Sequence, residues 1–129
     1  MLLDTHALIW LLDDVSALGP HARERIRDAG TVYVSAASVW EVAIKVARGR
    51  LDASSQLLTQ VADADLTWLP VTPDHAWSVR SVEGLPHGDP FDRLLVAQAA
   101  TEQLTFVTAD RAILGATLMP AVTMLDARL

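Results

Sequence analysis

Five short apolar runs punctuate this chain: MLL (1–3), TVYVS (31–35), LTWLP (66–70), LTFVT (104–108) and AVTML (121–125). TVYVS is β-branched and apolar and reads as a buried strand. The stretches between the runs carry helix signals. Helices are expected over 5–13, 20–29, 36–48, 54–64, 73–82, 90–102 and 110–114. Pro20 opens the second and Gly30 ends it, while Ser35 caps the third and Gly49 closes it. Strands alternating with helices predict an α/β fold, a parallel sheet sandwiched between helices. In such a sheet ligands bind beyond the carboxyl ends of the strands.

The 129 residues, 51% hydrophobic and 20% charged, suit one globular domain spanning 1–129 with a substantial core. No repeat, low-complexity tract or linker interrupts it. The mean hydropathy of +0.27 is high for so small a domain, so some apolar surface is expected to end in an interface. There is no cysteine, which excludes disulfides, thiolate metal sites and a cysteine nucleophile, and fits a reducing cytoplasm. The opening MLLDTHALIWLLDD lacks a basic leader and is interrupted by Asp4, so it reads as neither signal peptide nor membrane span. The net charge of −6 leaves no broad basic surface for nucleic acid. If the ligand is nucleic acid, something other than Lys and Arg must neutralise much of its phosphate charge.

The acids are placed by the same logic. Asp4 directly follows the first strand, and Asp110 lies two residues beyond LTFVT. A helix leading back into a parallel strand starts at that same edge. Asp92, in the first turn of the helix that feeds LTFVT, therefore belongs there, as does Glu41 near the second turn of SVWEVAIKVA. Each acid also has a local explanation. Asp89 is a good N-cap before Pro90, a first-turn Asp92 suits the helix dipole, and Asp4 and Asp110 can cap the helices that follow them. Glu41 can pair with Lys45 one turn on. Four carboxylates at one edge would nevertheless repel and raise one another's pKa values. A divalent cation removes that conflict: hard Mg²⁺ or Mn²⁺ takes oxygen ligands and often bridges to phosphate.

DTHALIW (4–10), SAASVWEVAIK (35–45), DPFDRLLVAQA (89–99) and VTAD (107–110), in that order, resemble the PIN domain, most closely the VapC-type ribonuclease toxins of toxin–antitoxin pairs. The resemblance spans nearly the whole chain. It implies a three-layer α/β/α sandwich with a five-stranded parallel sheet. It also implies an acidic pocket that binds Mg²⁺ or Mn²⁺ and cuts single-stranded or structured RNA, leaving a 5′-phosphate and a 3′-hydroxyl. By position, Asp4, Glu41 and Asp92 match the core catalytic and metal-binding acids, and Asp110 the more variable fourth. Asp89 remains an N-cap first and a metal-site candidate second, and Thr5 and Thr108 look like hydrogen-bonding support. A homodimer and a small cognate antitoxin, inserting an arginine to displace the metal, are implied as well.

Other residues leave two readings open. Arg93 and Arg111 each follow a proposed site acid and could contact phosphate or remain solvated. His6, beside Asp4, could touch RNA or serve structure, and the remaining histidines, His21, His75 and His87, look scattered. Trp10, Trp40, Trp68 and Trp77 lie in apolar periodic segments and are expected in the core or an interface rather than stacking on bases. A phospho-receiver domain would need paired acids after the first strand and a lysine after a late one. Here Thr5-His6 follows Asp4, and the only lysine is Lys45. The glycines form no phosphate-cradling loop. A catalytically silent metal-binding scaffold of the same fold is the other reading.

Overall fold

All five expected strands form, each shortened to two or three residues in a computed structural model that describes residues 1–51 and 56–129. They are β1 (Leu2–Leu3), β2 (Tyr33–Ser35), β3 (Thr67–Leu69), β4 (Phe106–Thr108) and β5 (Met124–Asp126). The helices are α1 (Thr5–Leu12), α2 (Pro20–Asp28), α3 (Ala36–Ala47), α4 (Leu57–Asp63), α5 (Pro73–Ser78), α6 (Pro90–Thr101) and α7 (Arg111–Leu114). The strands are short because the residues that end them are helix caps. Asp4 accepts the Ala7 N–H at 2.7 Å and starts α1 at once, and Ser35 accepts the Ala37 N–H at 3.0 Å and starts α3.

Three boundaries differ from expectation. The last strand is 124–126, not 121–125, because its register is set by β4, with Phe106 opposite Met124 and Thr108 opposite Asp126. The helix expected over 73–82 changes to a 3₁₀ turn at Val79–Ser81. The helix expected over 54–64 is seen as α4, and residues 54 and 55 lie outside the described residues.

Every pairing is parallel, and the strand order is β3-β2-β1-β4-β5. Successive strand residues point to opposite faces, so adjacent leucines serve different layers. Leu3, Val34, Val107 and Leu125 pack under α1, α2 and α4 with Ala7, Leu8, Ala22, Ile26 and Val61. Leu2 and Phe106 face α3, α6 and α7 with Ala37, Leu95, Val96, Ala99 and Ile113. The result is an α/β/α sandwich. No helix among the described residues is long and apolar enough to cross a membrane.

The order also creates a switch point. The chain steps outward from β1 through β2 to β3, then returns to the other side of β1 with β4 and β5. Crossovers on opposite sides leave a crevice beyond the carboxyl ends of β1 and β4, where doubly wound sheets bind ligands.

A buried polar network ties the outer helices together. The His75 side chain is 1% exposed. Its Nδ1 accepts from the Thr72 N–H at 3.1 Å and the Gln98 amide at 3.2 Å, and its Nε2–H donates to Glu102 at 2.7 Å. Gln98 in turn accepts from Ser35 Oγ at 2.6 Å. This fastens α5 and β2 to α6.

Candidate functional site

The switch-point crevice is a cleft of about 430 Å³ lined by Asp4, Thr5, His6, Glu41, Lys45, His87, Asp89, Asp92 and Asp110. Five of the nine are acids and one is a lysine. A roomier cleft of about 600 Å³ opens at the amino edge of the sheet, between the ends of α1, α2 and α4. Its floor of Leu11, Leu12, Ile26, Val32 and Leu66 is aliphatic, and the five gathered acids lie at the other edge.

Each acid is fixed by the element that carries it. Asp4 is buried and caps α1 through Oδ1. Burial pushes its carboxyl up, against hydrogen bonds from Thr108, Ala7 and Ala109 and the charge of His6. Asp110 caps α7, with Oδ1 accepting from Ala112 N–H at 2.8 Å and Ile113 N–H at 3.2 Å. Burial raises its carboxyl, but the bonds from Ile113, His87 and Ala112 outweigh that and hold it below the usual range. Thr108 lies between them: its hydroxyl bonds Asp4 and accepts the Asp110 N–H at 3.1 Å.

Glu41 enters from α3 and is buried. Thr5 Oγ1 lies 2.7 Å from Glu41 Oε2 and 3.2 Å from Ser38 Oγ. With one proton to give, it donates to the carboxylate and accepts from the serine. Lys45 Nζ donates to Glu41 Oε1 at 2.9 Å, so the expected one-turn ion pair forms and also lines the cleft.

Asp92 is the least compensated. Asp89 caps α6, taking the Phe91 and Asp92 N–H groups at 2.8 and 3.2 Å. The Asp92 side chain, 24% exposed, looks into the cleft. Burial first, then the charges of Asp89, Asp4 and Glu41, push its pKa up to about 7, with His87 opposing. A carboxyl raised this far in a cleft makes Asp92 a candidate functional group.

The structure thus brings Asp4, Thr5, His6, Glu41, Asp89, Asp92 and Asp110 to one cleft, with Thr108 packed beneath. Arg93 and Arg111 do not line it. Arg93 Nη1 donates to the Val82 carbonyl at 3.0 Å, and Arg111 is exposed with its charge felt by Asp126. Sequence reasoning missed His87, whose Nε2 is 3.2 Å from Asp110 and 3.5 Å from Asp92. Its one signal was its position in the Gly/Pro loop that delivers α6 to the edge. The tryptophans expected in the core or an interface divide. Trp10 packs against the core, whereas Trp40 and Trp77 are 60% and 68% exposed and Trp68 is 39% exposed. The strand order also differs from the 2-1-3-4-5 arrangement of receiver-type folds.

An acid-lined cleft at the switch point of a five-stranded parallel α/β/α sandwich defines the class of protein. The model of one family, the PIN domain, matches residues 1–116, and the chain belongs to the PIN-domain family. No curated protein matches it significantly. Solved structures share its fold. DNA-bound VapBC2 from Rickettsia felis matches with a TM-score of 0.69 at 12% identity, over 97% of this chain and 96% of that one. DNA-bound VapBC from Salmonella typhimurium gives 0.67 at 21% identity, over 97% and 96%. A toxin–antitoxin complex from Klebsiella pneumoniae gives 0.58 at 18% identity, over 88% and 90%.

Proposed function

We propose that this chain is a VapC-type toxin, a Mg²⁺- or Mn²⁺-dependent endoribonuclease that acts in the cytoplasm and is restrained by a cognate antitoxin. The observation that carries this reading is the convergence of Asp4, Glu41, Asp92 and Asp110, from four separate elements, on one cleft. The donor set fits a hard divalent cation: it is carboxylate oxygen, in excess of the local positive charge. Asp4 and Asp110 each cap a helix through Oδ1 and still line the cleft, and Asp110 Oδ2, which takes the His87 bond, keeps a lone pair for a ligand. Asp92, with Asp4, Asp110 and Glu41, would hold the ion.

Bound there, the cation would supply the positive charge that acidifies an attacking water and stabilises charge developing on a phosphodiester. The chain's own residues do the rest. The caps and Thr108 hold Asp4 and Asp110 rigid, and Thr5 and Lys45 hold Glu41, so the carboxylates are oriented before substrate arrives. In the metal-free chain the Asp92 carboxyl is pushed up to about 7, so a bound cation would also draw off its proton. His6 is exposed and lines the cleft, which supports a contact with RNA. With few basic residues, RNA is held by shape and by the neutralised pocket, and binding depends only weakly on salt.

The antitoxin follows from the solved relatives, which include a toxin–antitoxin complex. A homodimer fits the apolar side chains left on the surface, Trp40, Leu58 and Trp77. The test is cleavage of total RNA by the purified chain with Mg²⁺, Mn²⁺ or EDTA, beside Asp92→Asn. Discrete cuts that need metal and vanish in the variant are expected. Equal cleavage by variant and parent would sink the assignment.

A further inference from the structure

Two acids of the cleft, Asp92 and Asp110, come from different elements, and the His87 ring reaches both. Asp92 rides in the first turn of α6 and Asp110 in the turn after β4. Both are carboxylates, so electrostatics alone would splay them. His87 Nε2 sits 3.2 Å from Asp110 Oδ2 and 3.5 Å from Asp92 Oδ2. These are the outer oxygens: Asp110 Oδ1 is already spent on the α7 cap.

The ring is held on its other side as well. Nδ1 accepts the Asp89 backbone N–H at 3.3 Å. That bond keeps Nδ1 bare, so the proton of a neutral imidazole sits on Nε2, and Nε2–H is the donor toward the carboxylates. The loop that carries the ring is itself pinned. Gly84 has φ +90°, and a Cβ there would run into the Thr117 carbonyl oxygen. Asp89, two residues past His87, caps α6. His87 therefore shares the frame of Asp92 while reaching across to Asp110.

We infer that His87 is a positioning residue of the metal site: its Nε2–H bonds Asp110 Oδ2 and stands 3.5 Å from Asp92 Oδ2, which keeps the two outer oxygens beside one point, so that a divalent cation meets two aligned ligands instead of two repelling ones. A carboxylate oxygen has lone pairs enough to accept this bond and still face a metal. Bonds of this kind to ligating carboxylates typically set metal affinity by 10- to 100-fold. The inference rests on the reading above, that the acids bind a divalent cation.

The experiment is Mn²⁺ binding to the purified chain, followed by calorimetry and by pulsed electron paramagnetic resonance. The proteins compared are the parent, His87→Ala, His87→Gln and Asp92→Asn. Glutamine places an amide N–H near the position of Nε2. His87→Ala should weaken Mn²⁺ binding by about tenfold or more, and His87→Gln should recover most of it. Melting temperatures of the metal-free variants show that each is folded. His87→Ala binding Mn²⁺ as well as the parent would overturn the inference, as would tighter binding, which would make the ring a competitor. Equal loss in both variants would mean that the N–H is not what matters. A nitrogen bound directly to Mn²⁺ in the parent and lost in His87→Ala would make His87 a ligand. In each of these cases Asp92→Asn still loses the metal and the underlying reading stands. A parent that binds no Mn²⁺, or an Asp92→Asn that binds it undiminished, would remove both.

Discussion

The first turn of α6 and its last two turns both carry polar side chains into the fold, and they treat them oppositely. At the far end, Gln98 meets Ser35 and His75, Glu102 meets His75, and His75 takes the Thr72 N–H, with donors matched to acceptors. Among the described residues, no buried side-chain nitrogen or oxygen lacks a partner. At the first turn, Asp92 faces Asp4, Asp89, Glu41 and Asp110 with acceptors gathered against acceptors. Thr5, Thr108, Lys45 and His87 offset part of this, and the rest remains as a carboxyl pushed to about 7. A network built for stability balances its hydrogen bonds. A surplus of one sign, held rigid by helix caps, leaves room for a charge that the chain does not itself supply.

Breaking that contrast should show most in activity. Asp92→Asn should reduce metal-dependent cleavage by roughly a hundredfold to a thousandfold, the scale of removing one preorganised electrostatic group. It should also raise the neutral-pH melting temperature of the metal-free protein, because it relieves repulsion.

Next comes pH. The unfolded Asp92 titrates near 4 and the folded one near 7, so between those values the folded state binds more protons. Stability of the metal-free protein should therefore fall as pH rises through that window, by roughly a few kcal/mol at most. Asp4 pulls in the same direction, while Asp110 and Asp126, held low, add stability that is lost on acidification. Denaturant titrations from pH 4 to 8 should show a maximum on the mildly acidic side. Saturating Mn²⁺ should abolish the fall above it, and a flat profile without metal would contradict the picture.

At the balanced end of α6, Gln98→Leu should cost about 1–3 kcal/mol by stranding the buried Ser35 hydroxyl, the usual penalty for unpaired buried groups. Mn²⁺ affinity, measured in the same protein, should be nearly unchanged. The smallest effect is expected for Lys45→Ala. Its ammonium is partly exposed, and the one-turn pair with Glu41 puts about 0.2–0.5 kcal/mol of stability at stake. Because Lys45 also lines the cleft, the variant should change cleavage more than folding.

Much of the fold was legible because local signals and the global plan agree. TVYVS and LTFVT are strand-like under any pairing, and Asp4, Ser35, Asp89 and Asp110 announce helix starts that the caps then make. The site acids were legible for the same reason, since parallel topology forces those helix starts to one edge. Local reasoning posed capping and catalysis as competing explanations for Asp4 and Asp110. The two readings are compatible, because a carboxylate can cap a helix through one oxygen and still line the cleft. What was illegible depends on direction. His87 sits in a loop with no period to aim it, and Trp40 and Trp77 lie in apolar segments yet turn outward.

By itself the sequence determined the alternation, the parallel sheet and the edge at which four acids gather, because these follow from periodicity, caps and the handedness of crossovers. The tertiary structure alone decided the strand order and the register of the last strand. It also decided which arginines stay outside the cleft and which histidine enters it. Those outcomes depend on distances between residues far apart in the chain, and no local preference encodes a distance across a crevice.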